Sequence, residues 1–295
     1  MTVSRDRRTT PARPDLAADF LRDAVDAPRY ASGNRRQVTA DGVGLRFTPD
    51  RDARLESQLL FGETFTVYDE QDGWAWGQNE ADDYVGYVPA ATLSADVYQP
   101  DHQVAIRATQ LYPEPDLKRP PLRTISMCSR LKVVDIADGF ARIAGGEWVF
   151  AKHVVDLDYV MPDLIGTALK FLGTPYVWGG RSSVGLDCSA LVQLVLHMAG
   201  IRAPRDSDQQ AQIGSDVPMA DRHDFSALED GDLVFFPGHV GFFVHGWRFL
   251  HANAFDMQVS LHSFSEVLDR ADAADAGVSG VRRVGTGGAG ITDAD

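Results

Sequence analysis

The chain repeats itself, and the repeat fixes much of what its first half can become. At a shift of 66 positions Pro49-Asp50 matches Pro115-Asp116, Phe65 matches Leu131, Val67 matches Val133, and Asp72-Gly73-Trp74 matches Asp138-Gly139-Phe140. Both copies alternate apolar and polar residues in short runs, from Glu63 to Tyr68 and from Arg130 to Val134. A period of two marks half-buried strands, and an Asp-Gly pair before an aromatic residue marks a hairpin turn. The pattern predicts two small β-barrels, at 36–97 and 98–158. With 295 residues the chain has room for a further domain, since domains commonly span roughly 100–200 residues.

That domain is expected at 160–285. From Asp163 the apolar residues Leu164, Ala168, Leu169 and Leu172 fall at helical spacing, and a Gly-rich turn follows from Thr174 to Gly180. An amphipathic helix is expected after Cys188, then a polar loop, then strands at Asp232–Phe236, His239–Val244 and Arg248–Ala252. Helices first and sheet second is an α+β order. Residues 1–35 read as a mostly solvated arm with one short helix near Asp15–Asp26, and residues 286–295 as a frayed tail. Both barrel copies end in sequences, Asp83 to Pro89 and Gly146 to Ala151, that resemble the closing strand of bacterial SH3-like domains.

Charge narrows the partners. The chain carries 28 basic and 42 acidic residues, a formal net charge of −14. Such a balance argues against nucleic acid and against an anionic membrane surface. The N-terminal residues show no apolar run of the length a signal peptide needs, so the expected location is the cytoplasm.

Two cysteines stand in segments of different character, which argues against a disulfide framework. Cys128 takes the place of Gly62 in the repeat and is expected to be structural. Cys188 follows Asp187 and precedes Leu191, Leu194, Val195 and Met198 at helical spacing, so its thiol lies at a helix N-terminus with Asp187 as the capping residue. Backbone N–H groups and the helix dipole favour a thiolate there. From this stretch alone a nucleophile and a buried apolar thiol are equally good readings. His239 opens a strand after a Pro-Gly turn, and His251, twelve positions on, would sit beside it in a hairpin as the group that orients a base. The rival use of His239, His245, His251 and His262 is zinc, but their intervals lack the tight pairing of zinc sites, so no metal is expected.

The run from Thr174 to Ala190 resembles the nucleophile motif of NlpC-type papain-like cysteine peptidases, and the run from Asp230 to Gly241 resembles their base motif. The Cys–His interval of 51 residues and the His–His interval of 12 agree with it. The resemblance covers roughly 160–285 and is nearest to γ-D-glutamyl-L-diamino-acid endopeptidases with N-terminal SH3-like domains. It implies a papain-like catalytic domain behind the two barrels, with Cys188 as nucleophile, His239 as base, His251 as its orienting partner, and Tyr176 sharing an oxyanion hole with the Cys188 N–H. It further implies that Asp187, Ser189, Asp206 and Ser207 line the substrate pocket, with Asp206 pairing to a substrate ammonium. Glu63 and Tyr84, or Tyr87 in its stead, would close the pocket around a free N-terminal L-alanine.

On this reading the chain cuts peptidoglycan-derived stem peptides at the γ-D-glutamyl-diamino acid bond, without a cofactor, in murein peptide recycling. Two alternatives stand beside it: a wall-peptide-binding protein of weak activity, and a papain-like amidase or acyltransferase acting on another amide or ester.

Overall fold

The computed structural model describes residues 5–219 and 224–285. The tail expected at 286–295 lies outside the described residues. The chain divides into two compact units, Met1–Leu157 with Trp178–Ser183, and Asp158–Val177 with Val184–Asp295.

In the first unit, residues 34–94 form a seven-stranded sheet. Its order is Leu93–Ser94, Asn34–Val38, Thr64–Gln71, Trp74–Asn79, Val85–Pro89, Val43–Arg46 and Leu55–Leu59. Period-two patterning puts Val43, Leu45, Leu59, Phe65, Val67 and Val88 inside, around the buried Tyr84. Residues 102–156 build a three-stranded and a five-stranded sheet over Val104, Leu111, Ile125, Leu131, Ile143 and Val149. The repeat extends to backbone detail. Asp72 and Gly73 have φ of 52° and 79°, and Asp138 and Gly139 have φ of 51° and 79°, the doubly positive geometry of a tight hairpin turn.

The N-terminal segment is not the solvated arm expected of it. Ala12–Arg13, Leu16–Ala18 and Tyr30–Ala31 form a three-stranded sheet, and Leu16 packs with Trp76 and Val85. Only a single 3₁₀ turn, Asp19–Leu21, stands where a helix was expected, because Leu16, Ala17 and Ala18 are all buried in an extended strand. Arg13 ties the segment down by an ion pair with Asp69 and a cation–π contact 4.8 Å from the Trp76 ring.

In the second unit a six-stranded sheet runs in the order Ser215–Asp216, Gly280–Arg283, Leu233–Phe236, His239–Val244, Arg248–Asn253 and Gln258–Ser263, with every pair antiparallel. The strand at 258–263 and the closing helix Phe264–Ala273 extend the expected helix-then-sheet order. The helix Cys188–Met198 packs against the strands at 239–244 and 248–253. It is buried on all sides except at His197, rather than amphipathic. Its polar side chains are satisfied internally, Gln193 donating to the Ala203 carbonyl at 3.3 Å.

Candidate active site

Asp187 ends an extended segment and caps the helix, its carboxylate accepting from the Ala190 N–H at 2.9 Å. Cys188 is therefore the first residue of the helix, as the Asp-Cys-Ser sequence dictates. The N–H groups of Val240 and Ser189 point at its sulfur and favour the thiolate, with the Arg205 charge adding to them. Burial outweighs them. Together with the Asp187 carboxylate, it pushes the thiol up to about 12. Burial likewise holds His239 neutral, down to about 4 from 6.5. Burial thus disfavours the charged form of both groups, against the thiolate that the helix dipole alone suggests.

His239 begins its strand directly before Val240, whose N–H faces the thiol. Its Nε2 lies 2.8 Å from His251 Nδ1. Gly241 permits this approach, since a Cβ there would stand 2.8 Å from His251 Cβ and 2.6 Å from the Phe249 ring. His251 is buried, and desolvation together with the neighbouring His239 and His262 lowers it to about 2. Phe236 and Phe249 wall the pair, with ring centroids 6.2 and 6.4 Å from His239.

Burial, with the Asp187 carboxylate near it, raises the Tyr176 phenol and keeps it a neutral donor. The structure thus gathers Cys188, His239, His251 and Tyr176 in one unit.

The residues expected to line the substrate pocket fall differently. Asp187 and Ser189 are buried in a bond network with Arg205. Arg205 donates from Nη1 to Asp187 Oδ1 at 2.9 Å and to Ser189 Oγ at 2.8 Å, and from Nη2 to Asp187 Oδ2 at 2.8 Å. The Arg205 side chain is wholly buried. It fixes the capping carboxylate by a bidentate pair, a geometry only a guanidinium supplies. Asp206 and Ser207 follow it, half-buried, at the start of the short helix Ser207–Gln210.

Glu63 and Tyr84 lie in the first unit. Both oxygens of the Glu63 carboxylate accept from Arg181 Nη1 at 2.9 Å, and one also accepts from the Leu60 N–H at 2.8 Å. Tyr84 is packed in the core of residues 34–94. Both side chains are thus engaged within the first unit. Trp178–Ser183, inside the expected nucleophile motif, belongs to this unit because Arg181 bonds Glu63 and Gln58. Tyr87, the substitute for Tyr84, accepts from Arg13 Nη1 at 3.2 Å.

The bonding of Arg205, of His262 and of Asp256 was not foreseen from the sequence. Arg205 gave no local signal. His262, weighed only as a zinc ligand, has Nδ1 3.0 Å from His251 Nε2, and its Nε2 is 2.7 Å from Asp256 Oδ2. The even spacing of His262 and Ser260 in a strand paired to His251 is the signal that could have found it.

Residues 173–272 match the NlpC/P60 family, and residues 45–93 match the bacterial dipeptidyl-peptidase Sh3 domain. The chain is 26% identical over 253 residues to dipeptidyl-peptidase 6 of Lysinibacillus sphaericus, covering 78% of this chain and 91% of that protein. It is 27% identical over 241 residues to the gamma-D-glutamyl-L-lysine dipeptidyl-peptidase of Bacillus subtilis, covering 72% and 77%. A crystal structure of an NlpC/P60 family protein from Bacillus cereus shares the fold, with a TM-score of 0.70 at 22% identity over 85% of this chain and 99% of that one. Placed on the capped thiol and the His239–His251 pair, these matches make the chain a cysteine peptidase of the NlpC/P60 family that carries a bacterial SH3 domain.

Proposed function

We propose that the chain hydrolyses the γ-D-glutamyl-diamino acid bond of peptidoglycan stem peptides whose N-terminal L-alanine is free. Cys188 loses its proton to His239 as the sulfur attacks the γ-carbonyl carbon of D-glutamate. The oxyanion accepts from the Cys188 N–H and the Tyr176 hydroxyl. His239 returns the proton to the departing amine, leaving a thioester on Cys188, and a water activated by the same imidazole releases the acid and restores the thiol.

The observation that carries this reading is the juxtaposition of the Asp187-capped Cys188 with the hydrogen-bonded His239 and His251. Support for the bond comes from the relatives named as dipeptidyl-peptidases, because releasing a dipeptide requires a free α-amine two residues before the cut. With Glu63 held by Arg181, the recognition of that amine falls to Asp206, half-buried beside Arg205. Free-amine selectivity suits peptides already released from the wall, and hence a recycling role in the cytoplasm, which cell fractionation tests. The test of the substrate is hydrolysis of L-Ala-γ-D-Glu-L-Lys beside the same peptide with its amine acetylated. Cleavage of the free peptide alone is expected. Equal cleavage of both would sink the amine requirement, and cleavage of neither would sink the assigned bond.

A further inference from the structure

The base in this site is the end of a longer chain of rings. Asp256 lies between the strands at 248–253 and 258–263, where Asn253 Oδ1 accepts from its N–H at 2.8 Å and Ser260 Oγ donates to its Oδ2 at 2.6 Å. The same Oδ2 lies 2.7 Å from His262 Nε2. These neighbours, Ser260 first among them, hold the Asp256 carboxyl below its ordinary value, so it is an ionised, acceptor-only group.

An acceptor at one end decides every proton along the line. His262 Nε2 must carry hydrogen to donate to Asp256. With that one proton on His262, its Nδ1 is a lone pair and accepts from His251 Nε2 at 3.0 Å. His251 Nδ1 is then a lone pair and accepts from His239 Nε2 at 2.8 Å. That leaves His239 Nδ1, the only ring nitrogen of His239 not taken by His251, as the basic atom.

Resting on the assignment of Cys188 and His239 as the reacting pair, we propose that Asp256 and His262 are positioning residues that set the tautomers of His251 and His239, so that His239 Nδ1 meets the thiol unprotonated. With the carboxylate gone, the ring chain can run in either direction, and the reversed direction puts the proton on His239 Nδ1, where it cannot accept another.

Nitrogen-15 NMR of the full chain labelled at histidine reads this without substrate. The wild type is expected to show protonated Nε2 and unprotonated Nδ1 at His239, His251 and His262. Asp256→Ala is expected to mix the tautomers at His251 and His239. It is also expected to lower kcat, and the rate of Cys188 alkylation by iodoacetamide, on the order of 10- to 100-fold with KM unchanged. Asp256→Glu is expected to restore them. A wild-type His239 protonated at Nδ1, a doubly protonated His262, or an Asp256→Ala variant with unaltered spectrum and kcat would overturn the relay while Cys188-dependent turnover stands. Turnover that survives Cys188→Ala would instead overturn the reading beneath it.

Discussion

Arg181 Nη1 donates to both carboxylate oxygens of Glu63 at 2.9 Å, and both side chains are almost entirely buried. The pair joins residues 118 apart in sequence and draws six residues of the expected nucleophile motif into the first unit. Burial raises the stakes of such a pair, since each charge relies on the other for what water would have supplied.

Removing one partner should therefore cost more than removing both. Arg181→Met or Glu63→Met alone is expected to destabilise by about 3–5 kcal/mol, and the double variant by less than either. Denaturant unfolding in a double-mutant cycle measures this, and single variants within about 0.5 kcal/mol of wild type would contradict it.

The repeat supplies an internal control for backbone geometry. Gly62 and Cys128 occupy equivalent positions with φ of 79° and 69°. A Cβ at Gly62 would lie 1.8 Å from the Arg130 carbonyl oxygen, so Gly62→Ala should destabilise by several kcal/mol, at the upper end of single-substitution effects. At Cys128 relief of about 1–2 kcal/mol of left-handed strain offsets the loss of a buried side chain, so Cys128→Gly should be close to neutral and leave kcat unchanged. Thermal unfolding of the two variants checks the contrast.

Stability should depend on pH through two buried imidazoles. His239 and His251 are lowered to about 4 and about 2 from 6.5, chiefly by desolvation. Above pH 6.5 neither folded nor unfolded chain protonates them, and their neutral burial carries no penalty. As pH falls below 6.5 the unfolded chain gains protons that the folded chain refuses, so stability declines by about 1.4 kcal/mol per pH unit for each histidine down to its folded value. Unfolding free energies between pH 7 and 4.5 test the slope, and His251→Asn should flatten it.

In the proposed mechanism Tyr176 donates to the oxyanion. Tyr176→Phe should lower kcat by about 10²–10³-fold, equivalent to about 2.7–4 kcal/mol, with little change in KM. An unchanged kcat would leave Tyr176 a packing residue.

What the sequence disclosed follows from how local each signal was. The Asp-Cys-Ser cap, the helical spacing behind it and the Pro-Gly turn before His239 act within a few residues, and they appear where they were expected. The two Asp-Gly turns do likewise. Arg181 with Glu63 and Arg205 with Asp187 depend on chain segments that meet only after folding, and no pattern within either segment marks them. The N-terminal segment hid for the same reason. Leu16 gains its place from Trp76 and Val85, 60 and more residues on, and not from any periodicity of its own.

The most direct measurement is mass analysis of the enzyme quenched during turnover of L-Ala-γ-D-Glu-L-Lys, run beside Cys188→Ala. An L-Ala-γ-D-Glu acyl group on Cys188 and none on Cys128 is expected, with turnover abolished in the variant. Turnover without that adduct, persisting in Cys188→Ala, would contradict it.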